Sequence, residues 1–264
     1  MMEFNWLNPW QAERCCCAEV SNIPASWPEF CEQYWQIQAR YPQAQILFSL
    51  DDYPQACYTS MHSISANNLD DNTDCDTSAF AQDMDQGDYC GDDEEHFQFM
   101  MIKQNLARLV QATPVESLYV ERWDFFGEYG SHEQDYLAFY QHPSRIMDIE
   151  EAHLFVVPVE ENHLSLAAFP NGYWTDNLSP QQNARLAQLL KTQFGLHLFA
   201  IGAMFIGFIK TRNLSTTEQD ALYQLCVTMY SKLNPSSETY MPALVPVFKQ
   251  VIAEQPVLLL SFSD

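Results

Sequence analysis

LHLFAIGAMFIGFIK, residues 196–210, is the longest apolar run in the chain, and the fold turns on how it is read. From His197 to Lys210 it holds about 14 residues, too few for a membrane span, which needs roughly 20. Its Phe and Ile residues suit a pleated surface. Gly202 and Gly207 interrupt it, and each would cost about 1 kcal/mol inside a helix. Gly202 instead falls where two short strands, over residues 196–201 and 204–209, can turn. Continuous apolar character means cover on both faces, so the pair belongs in the middle of a buried sheet.

Helix signals flank the run. Upstream, Ser179 reads as an N-cap and Pro180 as the first helical residue, where a missing N–H costs nothing. Leu186, Leu189, Leu190 and Phe194 then share a face, and Gly195 ends the helix. Downstream, Ser215 and Glu218 form a capping box ahead of a stripe of Leu222, Leu225, Cys226, Met229 and Leu233, stopped by Asn234-Pro235.

Farther out, residues 97–111 have helical spacing and end before Pro114. Residues 117–123 alternate as a strand would. Ser131 and Gln134 cap a short helix over 136–140, which His142-Pro143 closes. Residues 152–159 and 163–169 read as a hairpin turning at Glu160-Glu161-Asn162, with His153 and His163 facing across it. Residues 241–253 suit a helix interrupted near Pro246, and 257–262 a last strand. Toward the N-terminus, residues 1–25 are aromatic and irregular. Ser26 and Glu29 box a helix that carries Trp27, Phe30, Tyr34 and Ile37 and stops before Pro42, and 44–50 is a strand. Hairpins outnumber crossovers. The expected fold is α+β: a largely antiparallel sheet flanked by amphipathic helices, with an N-terminal helix-strand extension and an acidic loop. The expected organisation is a segment 1–66 packing on the rest, an acidic loop or linker over 67–96, and a main domain over 97–264.

The chain has 264 residues, 47 % hydrophobic and 14 % aromatic, enough to fill a core. Its charge is lopsided: 35 acidic against 12 basic residues, net −23. Such a field repels nucleic-acid phosphates and anionic lipid, so neither nucleic acid nor membrane is an expected partner. It attracts basic proteins or divalent cations. The 8 cysteines lack the spacing of a disulfide framework, and residues 1–10 lack a secretory leader's pattern. Both point to reduced thiols in a bacterial cytoplasm.

No G-x-G-x-x-G, P-loop, G-x-S-x-G or H-E-x-x-H occurs, and no cofactor is expected. Asp83, Asp85 and Glu94 stand at positions 1, 3 and 12 of a calcium loop, where carboxylates converge on a hard cation. The positions between, Gly87-Asp88, reverse what the turn needs. Zinc would draw on Cys15, Cys16 and Cys17 with Cys57 and His62, or on Cys75 with Cys90, if the fold brought them together; otherwise these are small apolar side chains. Arg122, Trp123, Asp124, Glu128 and His132 form the densest polar and aromatic mixture, reading as a pocket or as a core edge. Tyr173-Trp174 follow a turn and suit contact with a basic partner. Three functions stay open: an acidic module engaging a basic protein, as an immunity-type inhibitor or a mimic of nucleic-acid charge; an enzyme with a site over 122–142; and a calcium or zinc protein.

Overall fold

The structure, a computed structural model, describes residues 1–8, 11, 14–73, 94–120, 133–148, 150–173, 178–231 and 241–262. Seven strands form one sheet: β1 (Glu3–Trp6), β2 (Cys16–Ser21), β3 (Gln45–Ser49), β4 (His153–Val157), β5 (Leu196–Ile201), β6 (Phe205–Lys210) and β7 (Val257–Ser261). Their order is β1-β2-β4-β3-β5-β6-β7. Only β3 and β5 run parallel; every other adjacent pair is antiparallel. The described helices are α1 (Trp27–Gln38), α2 (Tyr53–Ala66), α3 (Glu94–Ala112), α4 (Glu133–Gln141), α5 (Pro180–Phe194), α6 (Thr216–Ser231) and α7 (Met241–Glu254). The fold is α+β.

The quoted run forms the centre. Every residue of β5 is buried, as is every residue of β6 but Lys210. Gly207 is required there because the Phe199 ring occupies the place a Cβ would take, 2.6 Å away. α1 lays Trp27, Phe30 and Tyr34 against Phe48 and Phe199, edge-on or tilted. Of the caps read from sequence, those at Ser26, Ser179 and Ser215 are present, while Ser131 lies outside the described residues. Ser179 and Gln182 close a capping box on α5, and Gly195 ends it at φ 66°. Ser215 Oγ accepts from the Glu218 N–H, while Glu218 accepts from the Ser215 N–H at 2.8 Å.

Four sequence expectations give way. Residues 16–21 form β2, whose alternating burial puts Cys16, Ala18 and Val20 inside and Glu19 and Ser21 outside, and β1 pairs with it. Residues 53–66 form α2, capped by Asp52, which accepts the Gln55 N–H at 3.1 Å. Of the strand expected over 117–123, Ser117 instead ends a 3-10 turn, 118–120 form no strand, and 121–123 lie outside the described residues; the Val120 N–H bonds to the Met229 carbonyl of α6. The expected hairpin is absent: β4 is followed by a 3-10 segment, Asn162–Ala168. There the Asn162 side chain, not a strand backbone, meets β5, so His153 and His163 do not face each other as cross-strand neighbours.

Candidate functional site

Two polar regions interrupt the core. The first lies where β3 and β5 diverge. These strands pair at only two positions, Phe48↔Ala200 and Ser49↔Ile201. Below them, side chains take over the ladder. Asn162 Oδ1 accepts the Leu198 N–H at 2.8 Å, and its Nδ2 donates to the Leu198 carbonyl at 2.9 Å. Gln38 accepts the Ile46 N–H, and the Tyr34 hydroxyl lies 3.0 Å from the Ile46 carbonyl and 2.9 Å from His197 Nε2. Burial, aided by the Lys191 charge, pushes the His197 pKa down to about 3, so the ring is neutral. This region is closed and structural: unmet backbone groups at a splayed sheet joint are satisfied by amides and a phenol.

The second region is open. A cleft of about 590 Å³ lies beside β1 and β2, and its described lining includes Asn5, Glu19, Tyr53, Glu150, Glu151 and His153. Strand pairing assembles it. The register sets Asn5 opposite Glu19, with 2.9 Å between the amide and the carboxylate, and Glu19 opposite His153. Asp148 holds the approach to β4, its Oδ1 accepting the N–H groups of Glu150 and Glu151. Those two side chains are exposed, and no lysine or arginine lines the cleft among the described residues. Tyr53, at the start of α2, stacks on His153 with ring centres 3.8 Å apart. His153 is buried, 8 % exposed, and its Nδ1 lies 2.7 Å from the Glu151 carbonyl. A carbonyl only accepts, so Nδ1 carries the proton. Nε2 then has no partner among the described residues, on the side chain that lines the back of the cleft.

A smaller cavity of about 280 Å³ is lined by Arg14, Cys15, Cys17, Ser60 and His96 among others. Burial pushes the Cys17 thiol up to about 12 and the Cys15 thiol higher still. Both are neutral thiols and poor nucleophiles.

Of the residues singled out from sequence, Arg122, Trp123, Asp124, Glu128, His132, Asp83, Asp85 and Trp174 lie outside the described residues. Glu94 is exposed in the first turn of α3. Tyr173 is half-buried, its ring 5.1 Å from that of His62, which also meets Tyr58 at 4.4 Å. His62 thus belongs to an aromatic cluster, and no group of three or more His, Cys, Asp or Glu is placed to hold a metal among the described residues. Sequence reading missed Glu19 and the Glu150-Glu151 pair. The alternation of CCAEVS and the acidic doublet directly before an apolar strand were the available signals. Among the described residues no helix is long and apolar enough to cross a membrane. No protein-family model, curated protein or solved structure matches the chain.

Proposed function

We propose that the protein is an acidic interaction module that binds a cationic polypeptide, with the cleft of Glu19, Glu150 and Glu151 receiving the partner's basic side chains. The observation that carries this is three carboxylates around a concave surface whose described lining holds no lysine or arginine. Carboxylates gathered in a cleft raise the local concentration of cations and guide their approach, and a net charge of −23 extends that field over the molecule. The Tyr53–His153 stack offers a flat aromatic wall, suited to the stem or face of a lysine or arginine. An inhibitor of a basic toxin and a mimic of nucleic-acid charge are both instances of this chemistry.

The test is binding of a fluorescent oligo-arginine peptide to the purified protein. Affinity should fall steeply as salt rises from about 0.05 M to about 0.5 M. Replacing Glu19, Glu150 and Glu151 by Gln should lower it by about tenfold or more at low salt. A control replacing the exposed Glu32, Glu116 and Glu254 removes the same charge elsewhere. Equal losses in the two triple variants would show that affinity follows net charge alone and would dismiss the cleft.

A further inference from the structure

The two edges of the sheet are treated differently. At β7 three of the outward backbone groups are taken up by side chains. Leu259 donates its N–H to Tyr140 at 3.0 Å and accepts from Tyr136 at 3.2 Å, and the Ser261 carbonyl accepts from Tyr230 at 2.6 Å. At β1 a side chain takes up only the outward N–H of Met2 among the described residues. The Leu7 N–H bonds inward to Cys17 at 3.0 Å, whereas the Met2 N–H turns outward to Gln33 at 2.7 Å. Period-2 alternation then points the N–H and C=O groups of Phe4 and Trp6 away from β2. Among the described residues nothing bonds to these outward groups.

We infer that β1 is a docking edge on which an extended, cationic segment of a partner protein adds as a further strand. This rests on the acidic-cleft reading above and specifies how the partner is held. An open edge is a template for another strand, and strand addition takes affinity from main-chain bonds and specificity from alternate side chains. The surroundings of β1 prescribe that alternation. On one side of the sheet stand Glu3, Asn5 and Glu19, leading into the cleft. On the other stand Phe4 and Trp6, 6.5 Å apart, with Tyr41 against Trp6 at 6.4 Å. Trp6 is 36 % exposed and Leu7 56 %. A strand laid along this edge meets carboxylates with every second side chain and aromatic rings with the others. The occupant is therefore a segment alternating basic and apolar residues. Charge argues against a second copy of this chain, which would set Glu3 and Glu19 against their like.

The probe is a capped synthetic peptide alternating Lys and Val, tested by fluorescence anisotropy at low salt. Its companions are a peptide of equal composition with the lysines in one block, and two N-methylated forms. One form carries methyl groups on the lysine amides and the other on the valine amides. In a strand all residues of one parity point their N–H groups the same way, so only one methylated set faces β1. The expected result is that the alternating peptide outbinds the block peptide. One methylated form should lose about tenfold or more and the other should keep its affinity, the sensitive set reporting strand direction. If block order and both methylations leave affinity unchanged while the Glu19, Glu150 and Glu151 variant still weakens binding, strand addition is overturned and the cleft stands. If no cationic peptide binds at low salt, the cleft reading itself fails. A dimer that must dissociate before the peptide binds overturns the proposal in favour of a second copy.

Discussion

The hydroxyl of Tyr136 lies 2.8 Å from that of Tyr140, one turn along α4, and together they close a hydrogen-bonded ring on a single residue of β7. Leu259 donates its N–H to Tyr140. Tyr136 donates to the Leu259 carbonyl, which leaves Tyr140 as the donor to Tyr136. Each proton has one acceptor, and the two phenols present to β7 the donor and acceptor that a neighbouring strand would have supplied.

The ring predicts non-additive substitutions. Tyr140→Phe leaves the buried Leu259 N–H without a partner, at a cost of about 1–3 kcal/mol. Tyr136→Phe leaves both the Leu259 carbonyl and the Tyr140 proton unmet, and should cost at least as much. The double variant leaves only the two backbone groups unmet. Its loss in urea unfolding should be smaller than the sum of the singles by about 0.5 kcal/mol or more. Additive losses would mean that the two hydroxyls act independently.

At the β3–β5 joint, Asn162→Leu keeps the branched shape but strips both backbone groups of Leu198 of their partner. The expected loss is about 2–4 kcal/mol. Slowed exchange at the Leu198 amide should vanish in that variant before exchange at the core of β6 changes. Uniform acceleration across the sheet would instead mean that Asn162 serves only as packing.

What could be read from sequence was local. Ser179, Pro180 and Gly195 bracket α5 within one stretch of chain, and Gly202 marks its own turn, so both were legible. The Asn162–Leu198 bond spans 36 positions, and nothing in the HLSLAAF pattern distinguishes a strand from a turn whose first residue mimics one. α2 was hidden for another reason. Residues 53–66 contain no charged residue and much Ser and Thr, so no polar face stood out against an apolar one. The cleft was invisible because Glu19 and Glu151 come together only through the pairing of β2 with β4.

His197 predicts loss of stability in acid. Its pKa is 6.5 ordinarily and about 3 in the fold. Between those values the unfolded chain binds a proton that the folded protein does not, so the contribution is whole above pH 6.5 and is lost as pH falls toward 3. The stability difference between the protein and His197→Gln should shrink by up to about 1.4 kcal/mol per pH unit in that window. A difference independent of pH would show that the ring is reached by water.

Gly202→Ala should be among the most damaging single substitutions. A Cβ there would sit 2.2 Å from Asp51 Oδ1 and 2.5 Å from the Asp51 amide nitrogen. The second is backbone at the end of β3 and cannot swing aside. The expected loss is about 2–4 kcal/mol in urea unfolding. A loss under about 1 kcal/mol would mean that the β5–β6 turn moves freely against β3.

Asp51 itself predicts the opposite pH response to His197. Although the residue is half-buried as a whole, its carboxylate is the enclosed part, closed in by Gly202 and accepting the N–H groups of Met204 at 2.8 Å and Phe205 at 3.1 Å. Burial outweighs those bonds and raises its pKa from 3.8 to about 7. Between these values the folded protein holds a proton that the unfolded chain lacks, so stability falls as pH rises from about 4 to about 7. Asp51→Asn removes the titration. It also turns an amide N–H₂ toward a backbone N–H, so it should destabilise at every pH. Its deficit relative to the parent should be widest near pH 4–5 and narrow toward pH 8, in step with loss of the proton. A deficit that widened with rising pH would mean that the two N–H groups outweigh burial and that the carboxylate is charged throughout.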